Sequence, residues 1–183
     1  MVFSINEMRA QLAGGGSRPT HFSVQFINPA NGSGDIKIPF MTMATQIPTY
    51  NEGEVNVPYF GRRIKVAGDR TWENWTVTVL NDTDFLIRNA LEEWSNKINS
   101  FEGNLRTFGS SSPLEYKSQA ILTRYTATGV PTRIYTLEGI WPTQISSIDL
   151  AWNATDQIEQ FQATFAFDWC HVSGGSTGNA GGE

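Results

Sequence analysis

The sequence has one cysteine, Cys170, and two histidines, His21 and His171, in 183 residues. A single thiol excludes an intrachain disulfide and any cysteine-based zinc site. Two histidines cannot complete a Cys/His set, and carboxylates alone would suit only a hard cation such as calcium. The one segment dense in oxygen ligands, NDTDF at 81–85, lacks the glycine turn and distal glutamate of an EF-hand loop and reads as helix capping by Asp82. No apolar run approaches the roughly 20 residues a membrane helix needs, so no membrane anchor is expected. The opening MVFSINEMRAQLAGGG lacks the charged and apolar regions of a secretory signal. The chain therefore reads as made and kept in a cytoplasm, or in something assembled there.

Catalytic and phosphate-binding signatures are also absent. GGGS and GSGD are not phosphate loops, since no GxxxxGK[ST] or GxGxxG follows a strand. No GxSxG elbow anchors a hydrolase triad. Glu92 and Glu93 are adjacent, and adjacent positions on a helix point to different sides, so they do not form an acid–base pair. No catalytic residue, cofactor or metal site is predicted, and the expectation is a protein that is not an enzyme.

Charge is scarce and uneven, at 17% of residues with a net of −5. The last basic residue is Arg133; beyond it Glu138, Asp149, Asp156, Glu159, Asp168 and Glu183 stand unopposed. Arg62, Arg63, Lys65 and Arg70 gather around Asp69 in sequence. One reading is ordinary solvated faces. The other is contact between copies, basic segment to acidic third, with an acidic surface that repels nucleic-acid phosphates.

What is present is apolar alternation and turn residues. The length fits one domain, and the Gly, Thr, Ser and Asn content fits a β-rich chain with many turns. Residues 5–12 read as a short amphipathic helix broken by Gly14, Gly15 and Gly16. HFSVQFI alternates Phe22, Val24 and Phe26 with polar residues, the period of a half-buried strand. NPANGSGD reads as a turn-forming loop. IKIPFMTMATQI reads as extended, with Pro39 marking an edge or bulge. Residues 48–61 read as a protruding loop or hairpin.

Trp75, Val77 and Val79 share one strand face. After Asp82, the residues Ile87, Leu91, Trp94 and Ile98 define the apolar side of a helix, with Arg88, Asn89, Glu92, Glu93 and Asn96 solvated. YKSQAILTRY, RIYTLEGIW, ISSIDLAW and IEQFQATFAFDW read as strands, the last with Phe161, Ala163, Phe165, Phe167 and Trp169 inward. Residues 173–183 are Gly/Ser-rich and read as a disordered tail that His171 begins. Together these predict a mainly β fold: an antiparallel sandwich or barrel of two packed sheets with one flanking helix.

Six tryptophans could form a sugar-binding platform through Trp72, Trp141 and Trp152, making the protein a monomeric β-sandwich carbohydrate-binding module. The core or an interface would use them equally well.

The stretches GRRIKVAGDRTWENWTVTVLND, LEYKSQAI and LEGIWPTQISSIDLAWNATDQIEQFQATFAFDW, in that order and spacing, closely resemble the tail tube proteins of T4-type contractile-tailed bacteriophages. The resemblance covers roughly residues 19–170; the NGSGD loop and the tail after Val172 depart from it. It implies a tail tube domain over 1–172, with 1–18 an arm or short helix. It further implies two orthogonally packed sheets flanked by a helix, and homohexameric rings stacked into an inner tube within a contractile sheath. The genome would pass through the lumen without specific binding. Implied partners are further copies, the tail sheath protein, and baseplate and tail-terminator proteins. The implied location is the virion tail, assembled in the host cytoplasm. Alternatives within the resemblance are a baseplate tube initiator or the tube of a phage-like injection system.

Ring closure would remove free sheet edges, and head-to-tail contacts would generate rings and stack them. On this reading Tyr59, Arg62, Arg63, Lys65, Asp69 and Arg70 make contacts between subunits, with Asp69 and Arg70 pinning the returning limb. Glu138, Asp149, Glu159 and Asp168 are candidates for a lumen wall that DNA does not stick to.

Overall fold

Apolar alternation on seven segments gives two antiparallel sheets that share one long strand. The computed structural model describes residues 4–12, 15–108, 112–174 and 178–180. Helix α1 (Ile5–Gln11) falls within the predicted 5–12, starts where Ser4 accepts the Glu7 N–H, and buries none of its residues. The first sheet orders β1 (Phe22–Phe26), β6 (Ser118–Tyr125), β7 (Pro131–Ile145) and β9 (Trp169–Ser173). The second orders β7, β8 (Gln160–Ala166), β5 (Trp75–Leu80) and β2 (Thr42–Thr45). Up to Ile140, β7 pairs with β6 and β9; from Trp141 onward it pairs with β8. Strands β3 (Tyr50–Tyr59) and β4 (Arg62–Trp72) form a separate two-stranded ribbon.

The core lies between the sheets and α3 (Leu86–Ile98). Trp75, Val77 and Val79 alternate inward as expected, beside their cross-strand neighbours Phe165, Ala163 and Phe161 on β8, in one cluster with Leu122 and Leu137 of the other sheet. Helix α3 contributes Ile87, Leu91 and Trp94, the predicted stripe. The Phe165 ring lies 5.4 Å from Phe26, 6.0 Å from Trp75 and 6.4 Å from Trp94, tilted to each. Both buried indoles keep their N–H groups satisfied: Trp75 donates to the Gln46 carbonyl (2.8 Å) and Trp94 to that of Tyr116 (2.9 Å), which lets them sit in the core without an orphan donor. Asn28, also buried, donates to the Ala90 carbonyl and fastens the 28–35 loop to α3.

The structure corrects several expectations. Ile38–Met41 is a helical turn, α2, with Pro39 near its start, where a missing N–H costs nothing; only Thr42–Thr45 is extended. Asp82 does not cap α3. A turn in which the Phe85 N–H donates to the Asp82 carbonyl intervenes, Phe85 begins the helix at φ +51, and the Asp82 carboxylate is taken by Lys37. Arg88, expected on the solvated side, reaches the Ser146 carbonyl and lies over the Phe161 ring.

The strand through Trp141 continues to Ile145, whereas most of ISSIDLAW is not strand. The final strand breaks at Phe167–Asp168. As a result Trp169 is exposed rather than inward, and His171 and Ser173 belong to β9 rather than to a tail. Gly174 donates to Asn179, and Ala180 bridges back to Val172; residues 175–177 and 181–183, part of the predicted tail, lie outside the described residues.

Candidate assembly surface

The β3–β4 ribbon projects from the body with every residue of β3 exposed. Its tip is a two-residue turn at Phe60 (φ +43) and Gly61 (φ +77), a pair of positive φ values that matches the strand twist of a tight hairpin. At its base the Trp72 ring packs on Phe167 (5.5 Å) and edge-on to Tyr50 (5.3 Å). A bulge between Glu52 and Glu54 brings Gly53 against Gly68 and Asp69, where a Cβ on Gly68 would meet the Gly53 backbone at 3.0 Å. Both glycines are needed for that approach.

Register sorts the ribbon into two faces. Val55 pairs with Val66 and Val57 with Ile64, giving an apolar face; Asn56 pairs with Lys65 and Pro58 with Arg63 on the other. Val55, Val57, Ile64 and Val66 are each about half exposed, and Phe60 is 90% exposed. An isolated two-stranded ribbon is marginal in water, and among the described residues no layer covers the apolar face of this one. The signal lies in the sequence, where Val55 and Val57 alternate along one limb and Ile64 and Val66 along the other.

The cations do not cluster around Asp69. Extended chain rises about 3.3 Å per residue, so Arg62 and Arg63 sit at the tip and Arg70 near the base. Arg70 is paired with Glu52 and stacked over the Tyr50 ring at 4.5 Å, and hydrogen bonding to Glu52 raises the pKa of its guanidinium. It is Glu52, not Asp69, that holds this limb. Lys65 bonds Glu54 at 2.9 Å. Arg62 and Arg63, beside Tyr59 and Phe60, have no ion pair among the described residues.

The four candidate lumen acids occupy different settings. Asp168 is held by Lys117 and its N–H donates to the Glu138 carbonyl, while the Glu138 carboxylate accepts from Gln119. Glu159 accepts from Asn81, and together with Asp149 it lines a cleft of about 470 Å³ along the 146–159 loop. Trp72 is engaged at the ribbon base and Trp141 packs edge-on to Tyr116 (6.0 Å). Of the three platform candidates only Trp152 stands fully exposed.

Comparison with known proteins supplies context for this surface. The profile of the family described as "Phage tail tube protein" matches residues 17–173. The chain is 33% identical over 169 residues to tail tube protein gp19 of Enterobacteria phage T4, covering 92% of this chain and 99% of that protein. It is 32% identical over 169 residues to the corresponding protein of Enterobacteria phage T6, with the same coverage. Among solved structures, the tube-terminating cap of the anti-feeding prophage superposes with a TM-score of 0.63 at 15% identity, over 86% of this chain and 91% of that one. A chain of the sheath–tube complex of the extracellular contractile injection system PVC superposes with a TM-score of 0.57 at 13% identity, over 94% and 99%. These low-identity matches concern the fold.

Proposed function

The chain belongs to the phage tail tube protein family and is a structural tube subunit; from that premise we propose that the β3–β4 ribbon is the arm by which one copy grips the next. The observation that carries this is the ribbon itself, apolar on one face and tipped with two arginines that make no ion pair among the described residues. A segment without a core is stabilised by burial against a neighbour, at roughly 25 cal/mol per Å² of apolar surface covered. The free edges β1 and β2 at the ends of the sheet path are the natural places for subunits to close side by side.

On this reading copies form hexameric rings, rings stack into the inner tube of a contractile tail, and the genome leaves through the lumen. The tube lies in the virion, inside the sheath and between baseplate and terminator proteins, and performs no catalysis. The 146–159 loop, acidic and without Lys or Arg, is suited to a surface that DNA passes without sticking.

Electron microscopy of the purified chain tests the reading: rings or tubes are expected, and a strictly monomeric species under all conditions overturns it. Reversing charge with Arg62→Glu and Arg63→Glu should shorten or abolish tubes while leaving thermal unfolding of the monomer unchanged. Tubes of unaltered length and yield would remove the arginines from the contact.

A further inference from the structure

Helix α1 is ordered without a visible reason. Ile5, Met8 and Leu12 line one side and are 73, 61 and 49% exposed, and no α1 residue is buried. A helix of seven residues does not hold in water alone. At 100° per residue Arg9 flanks this apolar stripe and Glu7 lies opposite it.

The body carries a surface of matching character. Between β1, α2 and β6 runs a groove of about 470 Å³, lined by Ile27, Ile36, Phe40 and Ile121 with Asp35 on its wall. Ile27, Ile36 and Phe40 are 61, 80 and 82% exposed. Asp35 Oδ2 accepts the Asn28 N–H at 3.1 Å, but its Oδ1, a buried atom, has no partner among the described residues. An apolar groove with one acid on its wall suits an apolar helix face flanked by one arginine.

The groove of the same chain is poorly placed to receive α1. Arg124 binds Ser17 Oγ and the Arg18 and Pro19 carbonyls, which fixes the incoming chain at the Phe22–Arg124 end of β1. The groove lies at the other end, beside Phe26 and Ile27, about 17 Å away along the strand. In the structure α1 stays outside the groove of its own chain: none of its residues lines the groove and none is buried. A second copy is the occupant that the geometry leaves.

We propose that α1 of one copy docks in the β1–α2–β6 groove of a neighbouring copy, with Ile5, Met8 and Leu12 against Ile27, Ile36 and Phe40 and with Arg9 facing Asp35. Each subunit is thereby strapped to the next by its own N-terminal segment. The inference rests on the reading as a self-assembling subunit only in requiring a second copy.

Full-length protein carrying Met8→Cys and Phe40→Cys in a Cys170→Ala background, treated with a short bismaleimide and viewed by electron microscopy, tests both readings separately. Covalent multimers together with rings are expected. Rings without multimers overturn the strap and leave the tube reading intact; multimers without rings support the strap and count against the tube. A cross-link confined to monomers overturns the strap in favour of docking in the same chain, and the absence of both rings and multimers overturns both. Because α1 buries nothing, Ile5→Asp with Met8→Asp should leave the unfolding midpoint of the body unchanged and weaken self-association at least tenfold. Unchanged self-association in that variant overturns the proposal.

Discussion

Gly139 and Asp168 form the corner at which both long strands change sheet. Gly139 turns with φ +70, and a Cβ placed on it would fall on the Asp168 carboxylate. On one side of this point β7 pairs with β6 and β9, and on the other with β8. The chain leaving β8 crosses here into β9, with the Asp168 N–H bonded to the Glu138 carbonyl at 2.9 Å. Lys117 holds the carboxylate against the glycine at 2.6–2.7 Å. The two sheets are therefore joined by a bend that only glycine fits.

Gly139→Ala is expected to destabilise the fold through two separable effects. The left-handed backbone costs a residue with a Cβ roughly 1–2 kcal/mol, and the clash with Asp168 adds to it. Urea unfolding of Gly139→Ala in the wild-type and Asp168→Ala backgrounds separates them. The cost should fall to about 1–2 kcal/mol once the carboxylate is gone. Equal costs in both backgrounds would show that the clash contributes nothing.

The apolar face of the arm makes a prediction distinct from that of its arginines. Val57→Asp or Ile64→Asp, opposite one another in the ribbon, should leave body stability within about 0.5 kcal/mol, as surface substitutions do. Each should nonetheless prevent tube formation, because a charge would have to be buried without a partner. Sedimentation velocity alongside thermal unfolding measures both quantities, and normal assembly by either variant would place the apolar face outside the contact.

Cys170 lies in β9 against the core, and burial pushes its thiol up to about 11. A free cysteine ionises near 8.5, so at pH 8 the native thiolate fraction should be lower by about two orders of magnitude. Reaction with an aromatic disulfide reagent should be slow in the native protein by about that factor and become fast in urea. Equal rates in the two conditions would contradict the buried setting.

How much of this was legible in the sequence depends on what each residue answers to. Trp75, Val77, Val79, Phe161 and Phe165 read correctly because a strand with one buried face writes its period directly into the chain, and Ile87, Leu91 and Trp94 do the same for a helix. Asp82 misled because its local pattern is that of a cap, while Lys37, 45 positions away, claims its carboxylate. The break after Ala166 was hidden because Phe167 and Trp169 continue the alternation across it. What ends the strand is the glycine corner on a different strand, a relation with no local trace. At the assembly surface the cations were legible but not their spacing, since adjacency in sequence becomes separation along an extended strand. The helical turn α2 at Pro39 has no distinctive local signal, because the same proline suits a strand edge and a first helical turn.

The Lys37–Asp82 pair gives a pH dependence with two limits. Lys37 hydrogen-bonds Asp82 and lowers its pKa below the usual 3.8, while Asp82 raises that of Lys37 above 10.5. The depressed carboxyl contributes stability that is complete above 3.8 and lost as the pH falls through its folded value. The raised ammonium contributes stability that is complete below 10.5 and lost as the pH rises through its folded value. The difference in unfolding free energy between wild type and Asp82→Asn should therefore be flat from about pH 5 to about pH 9 and close at both extremes. Asp84, whose Oδ2 lies 3.6 Å from the same ammonium, will retain part of the attraction in that variant. The added change Asp84→Asn should widen the gap at neutral pH. A difference that persists unchanged into acid would show that Asp82 acts on the fold through its shape rather than its charge.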